Sequence, residues 1–289
     1  MDVLDKLKLK MQERRPILLL GAGFSIGAKN YDGVDLPKGD GLSERLFDRM
    51  YPEGYNEDYI ERAELIKHNL KELCSLFRSE NRVSQRNNVI ADIFSGSVPG
   101  ENRFHDKLTC YPWNYIFTLN VDDLVENIYK LQALPLNVWN TEKRGQIKYA
   151  KAPLLVKLHG CVREMGRGVV FDDEEYRRFT VRQNSMLKEF ANQFVKNDVV
   201  ILGSEFQEDD LQTLIEIYQE AGYDNSGYDY FFVSPAINSL KMENIISRYD
   251  NFHRVNMTTE DFLNYVDLEI SIPEERRSGL KEHGVCFID

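Results

Sequence analysis

Four short, nearly apolar runs in this chain end alike. Ile17–Leu20 is followed by Gly21, and Tyr115–Leu119 by Asn120 and Asp122. Leu154–Leu158 is followed by His159 and Gly160, and Val199–Leu202 by Gly203 and Ser204. Runs of this length, closed by glycine or polar residues, suit strands buried on both faces. Tyr230–Val233 and Phe252–Val255 add two more. Segments of helical spacing lie between them, at Asp122–Leu131, Glu174–Phe179, Arg182–Lys196, Asp209–Ala221, Asn238–Tyr249 and Thr258–Val266. The last is opened by a Thr cap.

Strands alternating with helices predict an α/β fold, a Rossmann-like, mostly parallel sheet with helices on both faces. A short amphipathic helix is expected over residues 1–15, with Leu4, Leu7 and Met11 on one side. Residues 41–110 carry no strand signal. Leu42–Tyr51, Asn56–Arg78 and Ser84–Phe94 have helical spacing there, so we read a helical module inserted into a single domain spanning 1–289. Pro273–Asp289 is charged and reads as a tail or a linker.

With 289 residues, 42% of them hydrophobic, the chain can build a full core. Its 36 Lys and Arg against 47 Asp and Glu give a net charge of −11, which repels phosphate backbones and argues against direct nucleic-acid binding. No apolar run approaches the ~20 residues of a membrane span. Met1–Lys10 alternates charged and apolar residues, unlike a signal peptide. A cytoplasmic protein with no membrane partner is expected. Cys74, Cys110, Cys161 and Cys286 are dispersed and form no zinc-knuckle spacing, so no metal is expected.

In an open parallel sheet the carboxyl ends of the strands share one edge, where ligands sit. Gly21-Ala-Gly-Phe-Ser25 reads as a strand-to-helix turn whose backbone can approach a phosphate, aided by the dipole of a helix behind it. Its spacing is GxGxxxG, and no strand ending in an acidic residue follows about 20 residues on. The hydride-transfer dinucleotide signature is therefore incomplete. Asp122 and Asp123 both precede a helix, so one can cap it while the other faces the crevice. His159 can act as a general base at neutral pH. The other histidines read as structural or surface residues. The run Asp172–Glu175 reads as a helix start, and Tyr176 as a packing residue.

Taken in order, Gly21-Ala-Gly-Phe-Ser25, Thr118-Leu-Asn-Val-Asp122, Lys157-Leu-His-Gly160 and Gly203-Ser-Glu-Phe206 resemble the GAGxS, TxNxD, (K)LHG and GxS elements of sirtuin-like NAD-consuming domains. The similarity extends over about residues 16–255. It implies that Gly21, Ala22, Gly23, Phe24 and Ser25 hold the NAD diphosphate and nearby ribose. Thr118 would support the pocket floor. Asn120 would position a water or ribose hydroxyl, Asp122 the nicotinamide end, and His159 would be the base. Gly203, Ser204 and Glu205 would line the adenosine ribose.

The chain departs from the protein deacylases of that family. It lacks their four-cysteine zinc module, and Leu36–Leu42 stands where they carry a GIPDFR-like segment. Glu205 and Glu208 replace the usual GxSxxD pattern. The zinc-free bacterial members resemble NAD hydrolases of anti-phage defence, joined to a sensor or partner. The resemblance thus implies an NAD glycohydrolase with NAD as substrate, acting as a homo-oligomer or with a partner, and the helical module gating access. The alternative is a non-catalytic NAD- or ADP-ribose-binding sensor or scaffold.

Overall fold

Every residue of Ile17–Leu20 is 2% exposed or less, and this run is the central strand. The computed structural model describes residues 1–53, 67–140, 148–149, 151–179, 184–204, 217, 227–235 and 240–270. Among them lie β1 (Ile17–Leu20), β2 (Tyr115–Thr118), β3 (Asn137–Trp139), β4 (Leu154–Lys157), β5 (Val199–Leu202), β6 (Tyr230–Val233) and β7 (Phe252–Val255). They form one sheet in the order β3-β4-β2-β1-β5-β6-β7, with every pairing parallel. The expected Rossmann-like α/β architecture is the observed one.

Side chains alternate between two cores, as the period of a strand dictates. Leu18, Leu20, Ile116, Leu155, Val200, Leu202 and Phe231 enter one core. Ile17, Leu19, Phe117, Val156, Val199, Ile201 and Phe232 enter the other. Both faces are therefore dry, and each fully buried Leu or Ile contributes on the order of 2 kcal/mol.

The first face is covered by α1 (Val3–Glu13), by α2 (Gly39–Met50), α3 (Leu70–Ser79) and α4 (Val83–Phe94) between β1 and β2, and by α5 (Leu124–Leu131). After β4 come α6 (Asp173–Arg178) and α7 (Ser185–Phe194). The second core takes Met186, Leu187, Phe190 and Phe194 from α7, and Phe179 just beyond α6. Ile246 of α8 (Leu240–Arg248) packs against it. Among the described residues the last helix, α9 (Thr259–Glu269), returns to the first face and is opened by a capping box between Thr258 and Asp261, as the Thr cap predicted. The helix expected at 209–221 and the tail from 273 lie outside the described residues, apart from buried Ile217.

One strand was not expected. β3 is three residues long and starts with Asn137, so it carries too little apolar signal to read alone. Its pairing with Leu154–Val156 of β4 forms it at the sheet edge. The predicted strand ends at Leu119 and Leu158 stop one residue earlier, at Thr118 and Lys157.

Register decides where the chemistry goes. Leu20 is level with Thr118 and Leu202, and Thr118 with Lys157. Gly21, Asn120, His159 and Gly203 therefore leave the sheet along one edge. The chain runs from β1 to β2 on one side and later returns to β5 on the other. Such a reversal opens a crevice at the carboxyl ends. No helix among the described residues is long and apolar enough to cross a membrane.

Candidate functional site

A cleft opens at that edge, with about 1080 Å³ of empty space counted out to its mouth. Gly21, Ala22, Gly23, Ser25, Asn120, Asp122, His159, Gly203 and Ser204 all line it. Residues far apart in the chain are thus brought to one cavity.

Asn120 is the link between two strand ends. Its amide nitrogen donates to the Gly21 carbonyl at 3.0 Å and to Ser25 Oγ at 2.9 Å. The Gly21 oxygen can only accept, which fixes the amide orientation. The Asn120 Oδ1 then has no hydrogen-bond partner among the described residues. Its backbone N–H donates to Thr118 Oγ1 at 3.0 Å. Thr118 itself is buried beneath the cleft, where it supports Asn120 without lining the space.

Ser25 passes the bonding on, donating from Oγ to Asp122 Oδ2 at 2.7 Å. The other oxygen of Asp122 accepts from the Leu124 N–H at 3.1 Å, capping α5. The two aspartates therefore divide the work differently from the expected cap and crevice pair. Asp122 does both, while Asp123 turns away to the Ser97 N–H and to Arg163. Burial raises the Asp122 pKa, against the opposing pull of Lys157 and of Ser25. Lys157 lies under the same strand ends, 1% exposed, and donates to the Asp122 carbonyl and to Glu126 Oε1 at 3.3 Å. Burial disfavours its ammonium, but Glu126 and Asp122 outweigh that and raise its pKa.

The glycine turn is tighter than expected. Ala22–Ser25 is a four-residue 3-10 turn and not the start of a long helix, so the expected helix dipole behind it is absent. The Gly21 N–H donates to the Leu202 carbonyl at 3.0 Å and the Gly23 N–H to the Gly203 carbonyl at 2.6 Å. These glycines let two loops interlock. A Cβ on Gly21 would lie 2.6 Å from Ser204 Cα, and one on Gly203 (φ +69°) would lie 2.3 Å from the Phe24 nitrogen. Ala22 sits exposed at the tip of the turn.

Phe24 requires a correction. Expected with the ligand-binding turn, it is 1% exposed, packs edge-on against His105 and does not line the cleft. Its ring belongs to the first-face core, where burial of an aromatic side chain is favourable. Its carbonyl meets His105 Nε2 at 2.8 Å. Glu205 and Glu208 lie outside the described residues.

His159 leaves β4 into an aromatic niche. Its ring stands edge-on to Tyr176 (5.6 Å between centroids, 83°) and to Phe179 (4.7 Å, 81°). Tyr176, read from sequence as packing, lines the cleft as well. Sequence reasoning also missed Leu42, Leu70 and Phe94 from the helices between β1 and β2, and Phe171 after β4. The spacing of Leu42, Leu70 and Phe94 is that of ordinary helix cores. Lys38, also missed, is exposed, lines the cleft and has no ion pair or hydrogen bond from its side chain among the described residues. A charged residue beside Pro37 and Gly39 in a loop was the available signal. Among the described residues no group of three or more His, Cys, Asp or Glu side chains is arranged to hold a metal ion.

Comparison with known proteins adds one positive finding. Residues 114–269 match the family model described as the SIR2-like domain. The match covers just over half the chain and includes Asn120, Asp122, His159, Gly203 and Ser204, while the glycine turn lies before it. No curated protein matches the chain.

Proposed function

The chain belongs to the SIR2-like domain family, whose members act on NAD, and from that we propose that its cleft hydrolyses NAD to nicotinamide and ADP-ribose. The observation that carries this reading is that Asn120, Asp122 and His159 line one cleft together with the glycine turn and Gly203. The glycosidic bond breaks through an oxocarbenium-like state. Water oxygen bonds to the ribose C1′, and the electron pair of the broken C–N bond goes to the nicotinamide nitrogen. The proton lost by water goes to His159, directly or through a ribose hydroxyl. The open Oδ1 of Asn120 accepts a hydrogen bond from that water or hydroxyl and orients it. Asp122 faces the nicotinamide end, beside the apolar wall of Val121, Phe171 and Tyr176, which keeps bulk water away. Gly21, Gly23 and Gly203 let the loops under the diphosphate lie close, with Ala22, Ser204 and Lys38 beside it. Base catalysis of this kind is typically worth about 10²–10⁴ in rate, and preorganised polar groups around the cationic sugar add to it.

The test is nicotinamide release followed by chromatography. His159→Ala and Asn120→Ala should each abolish it with the fold intact, and normal turnover in both variants sinks the assignment. In the wider role we propose, the protein is a cytoplasmic, NAD-depleting effector of bacterial anti-phage defence. It works as a homo-oligomer or with a sensor partner, and the helices between β1 and β2 gate NAD access. Light scattering that finds a fully active monomer without activator contradicts that regulation. Acetyl-lysine peptide left intact while NAD turns over separates the activity from deacylation. One observation favours a second reading, a non-catalytic NAD or ADP-ribose sensor. Ser25 and both Asn120 amide protons are already spent on protein partners, as suits a rigid binding site. Tight ADP-ribose binding with NAD left uncleaved would establish it.

A further inference from the structure

A buried ion-pair fork joins two walls of the cleft. Arg86 of α4 is 0% exposed, and so is Asp172 at the start of α6. Arg86 Nη1 meets Asp172 Oδ2 at 3.0 Å, and its Nη2 meets Glu175 Oε1 at 2.7 Å. Arg78 of α3 grips the same pair, through Nε to Asp172 Oδ2 at 2.7 Å and Nη2 to Glu175 Oε1 at 2.8 Å. The remaining oxygen of Glu175 accepts from the Phe171 N–H at 2.8 Å. Two guanidiniums on the first-face helices therefore hold both ends of the turn that opens α6.

That turn carries the niche of His159. Tyr176 follows Glu175 directly, and Phe179 is tied back to α6 by its N–H, at 3.0 Å from both the Glu175 and the Tyr176 carbonyls. These are the two rings that stand edge-on to the imidazole. The fork reaches from the first-face core, which holds Leu73, Cys74 and Phe77 of α3, to the second, which holds Phe179. The elements it joins each contribute to the cleft wall, Leu70 and Phe94 from α3 and α4, Phe171 and Tyr176 from the other side.

A buried ion pair is a weak source of stability, and apolar residues of similar volume often do as well. What the planar guanidinium adds is direction, because two bonds from one rigid fork to two different carboxylates leave little freedom of tilt. We infer that Arg78 and Arg86 are positioning residues that act through Asp172, Glu175 and the rings of Tyr176 and Phe179 to fix the His159 imidazole. The inference rests on His159 being the base of the proposed reaction.

Arg78 is part-exposed, so Arg78→Met leaves Arg86 to neutralise Asp172 and does not open a buried void. Two readings of this variant test the proposal. In steady-state kinetics, kcat for nicotinamide release falls about tenfold or more, since small misplacements of a reacting group carry such costs, while KM and ADP-ribose binding stay unchanged. In proton NMR, the His159 ring resonances, displaced in the wild type by the two neighbouring rings, move toward random-coil values. Unchanged kcat with unmoved resonances overturns the proposal, as does a rise in KM with unmoved resonances. Glu175→Gln carries the same two readings if Arg78→Met does not fold. The NMR reading does not depend on activity. A wild type that leaves NAD intact defeats the hydrolase reading, while the resonances still decide whether the fork positions the ring.

Discussion

At the amino ends of β5 and β6, Asp198 and Asp229 meet Lys6 and Lys10 of α1, Arg14 just beyond it and His253 of β7. Lys10 lies 3.1 Å from Asp198 and 2.8 Å from Asp229, and Asp229 also takes Lys6 at 2.5 Å and His253 at 2.7 Å. At the carboxyl ends of β1, β2 and β4, Asp122 is met by a serine hydroxyl and a backbone N–H, and the buried Lys157 gives its protons to the Asp122 carbonyl and Glu126. At the amino end the acids are met by cations. At the carboxyl end Lys157 pairs with Glu126 beneath the cleft, while Asp122 takes neutral donors and polar atoms, Asn120 Oδ1 among them, are left turned to a cavity. The first arrangement ties a helix to the sheet. The second holds atoms ready for a substrate.

The largest expected effect tests that division at the carboxyl end. His159→Ala should lower NAD hydrolysis by about 10²–10⁴ and leave circular dichroism unchanged. At the amino end the signs reverse. Asp229→Asn leaves Lys6 and Lys10 short of a buried partner, and urea unfolding should show a loss of about 3 kcal/mol. The kcat/KM for NAD should not move. A variant at Asp229 that unfolds normally but loses turnover would erase the distinction.

Acid should separate the two ends without mutation. His105, beneath the glycine turn, is pushed down to about 4 by burial, which outweighs its bond to the Phe24 carbonyl. The unfolded chain takes up a proton near 6.5 and the folded one near 4. Stability from this group is complete above pH 6.5 and is lost as pH falls toward 4, at up to ~1.4 kcal/mol per unit. Burial alone would raise Asp229, but hydrogen bonds from Lys10, Lys6 and His253 hold it down to about 2. Its contribution is complete above 3.8 and is lost as pH falls through about 2. Denaturation followed against pH should therefore show two windows, and His105→Asn should flatten only the upper one.

Much of this was legible because parallel strands write their burial and their exits directly into the chain. Ile17–Leu20 and Val199–Leu202 read as strands, and the residues after them read as a rim, without any knowledge of contacts. β3 was not legible, since Asn137-Val-Trp139 becomes a strand only by pairing with β4. Leu70, Phe94 and Tyr176 were not legible as cleft residues either, because a helix core and a cleft wall use the same apolar spacing. The glycines read as a strand-to-helix turn with free donors, whereas they make a short 3-10 turn in which the N–H groups of Gly21 and Gly23 serve β5 and the loop after it. Which partner a backbone donor takes is settled by the neighbouring strand, not by the local sequence.

The smallest expected effect concerns Lys38. It stands exposed at the cleft, next to the first residue of α2, with no ion pair among the described residues. A chain of net charge −11 repels a diphosphate as it approaches, so a lone cation at the cleft has something to offset. An exposed contact of this kind is worth about 1 kcal/mol, or roughly fivefold in affinity. Lys38→Ala should therefore raise KM for NAD about fivefold and leave kcat alone, and it should weaken the dependence of KM on salt. Lys6→Ala, at the other end of the sheet, should lower stability and leave KM where it was. If Lys38→Ala keeps both KM and its salt dependence, the diphosphate is held by uncharged groups such as the tip of the Gly21–Ser25 turn, and the carboxyl edge works without any surface cation.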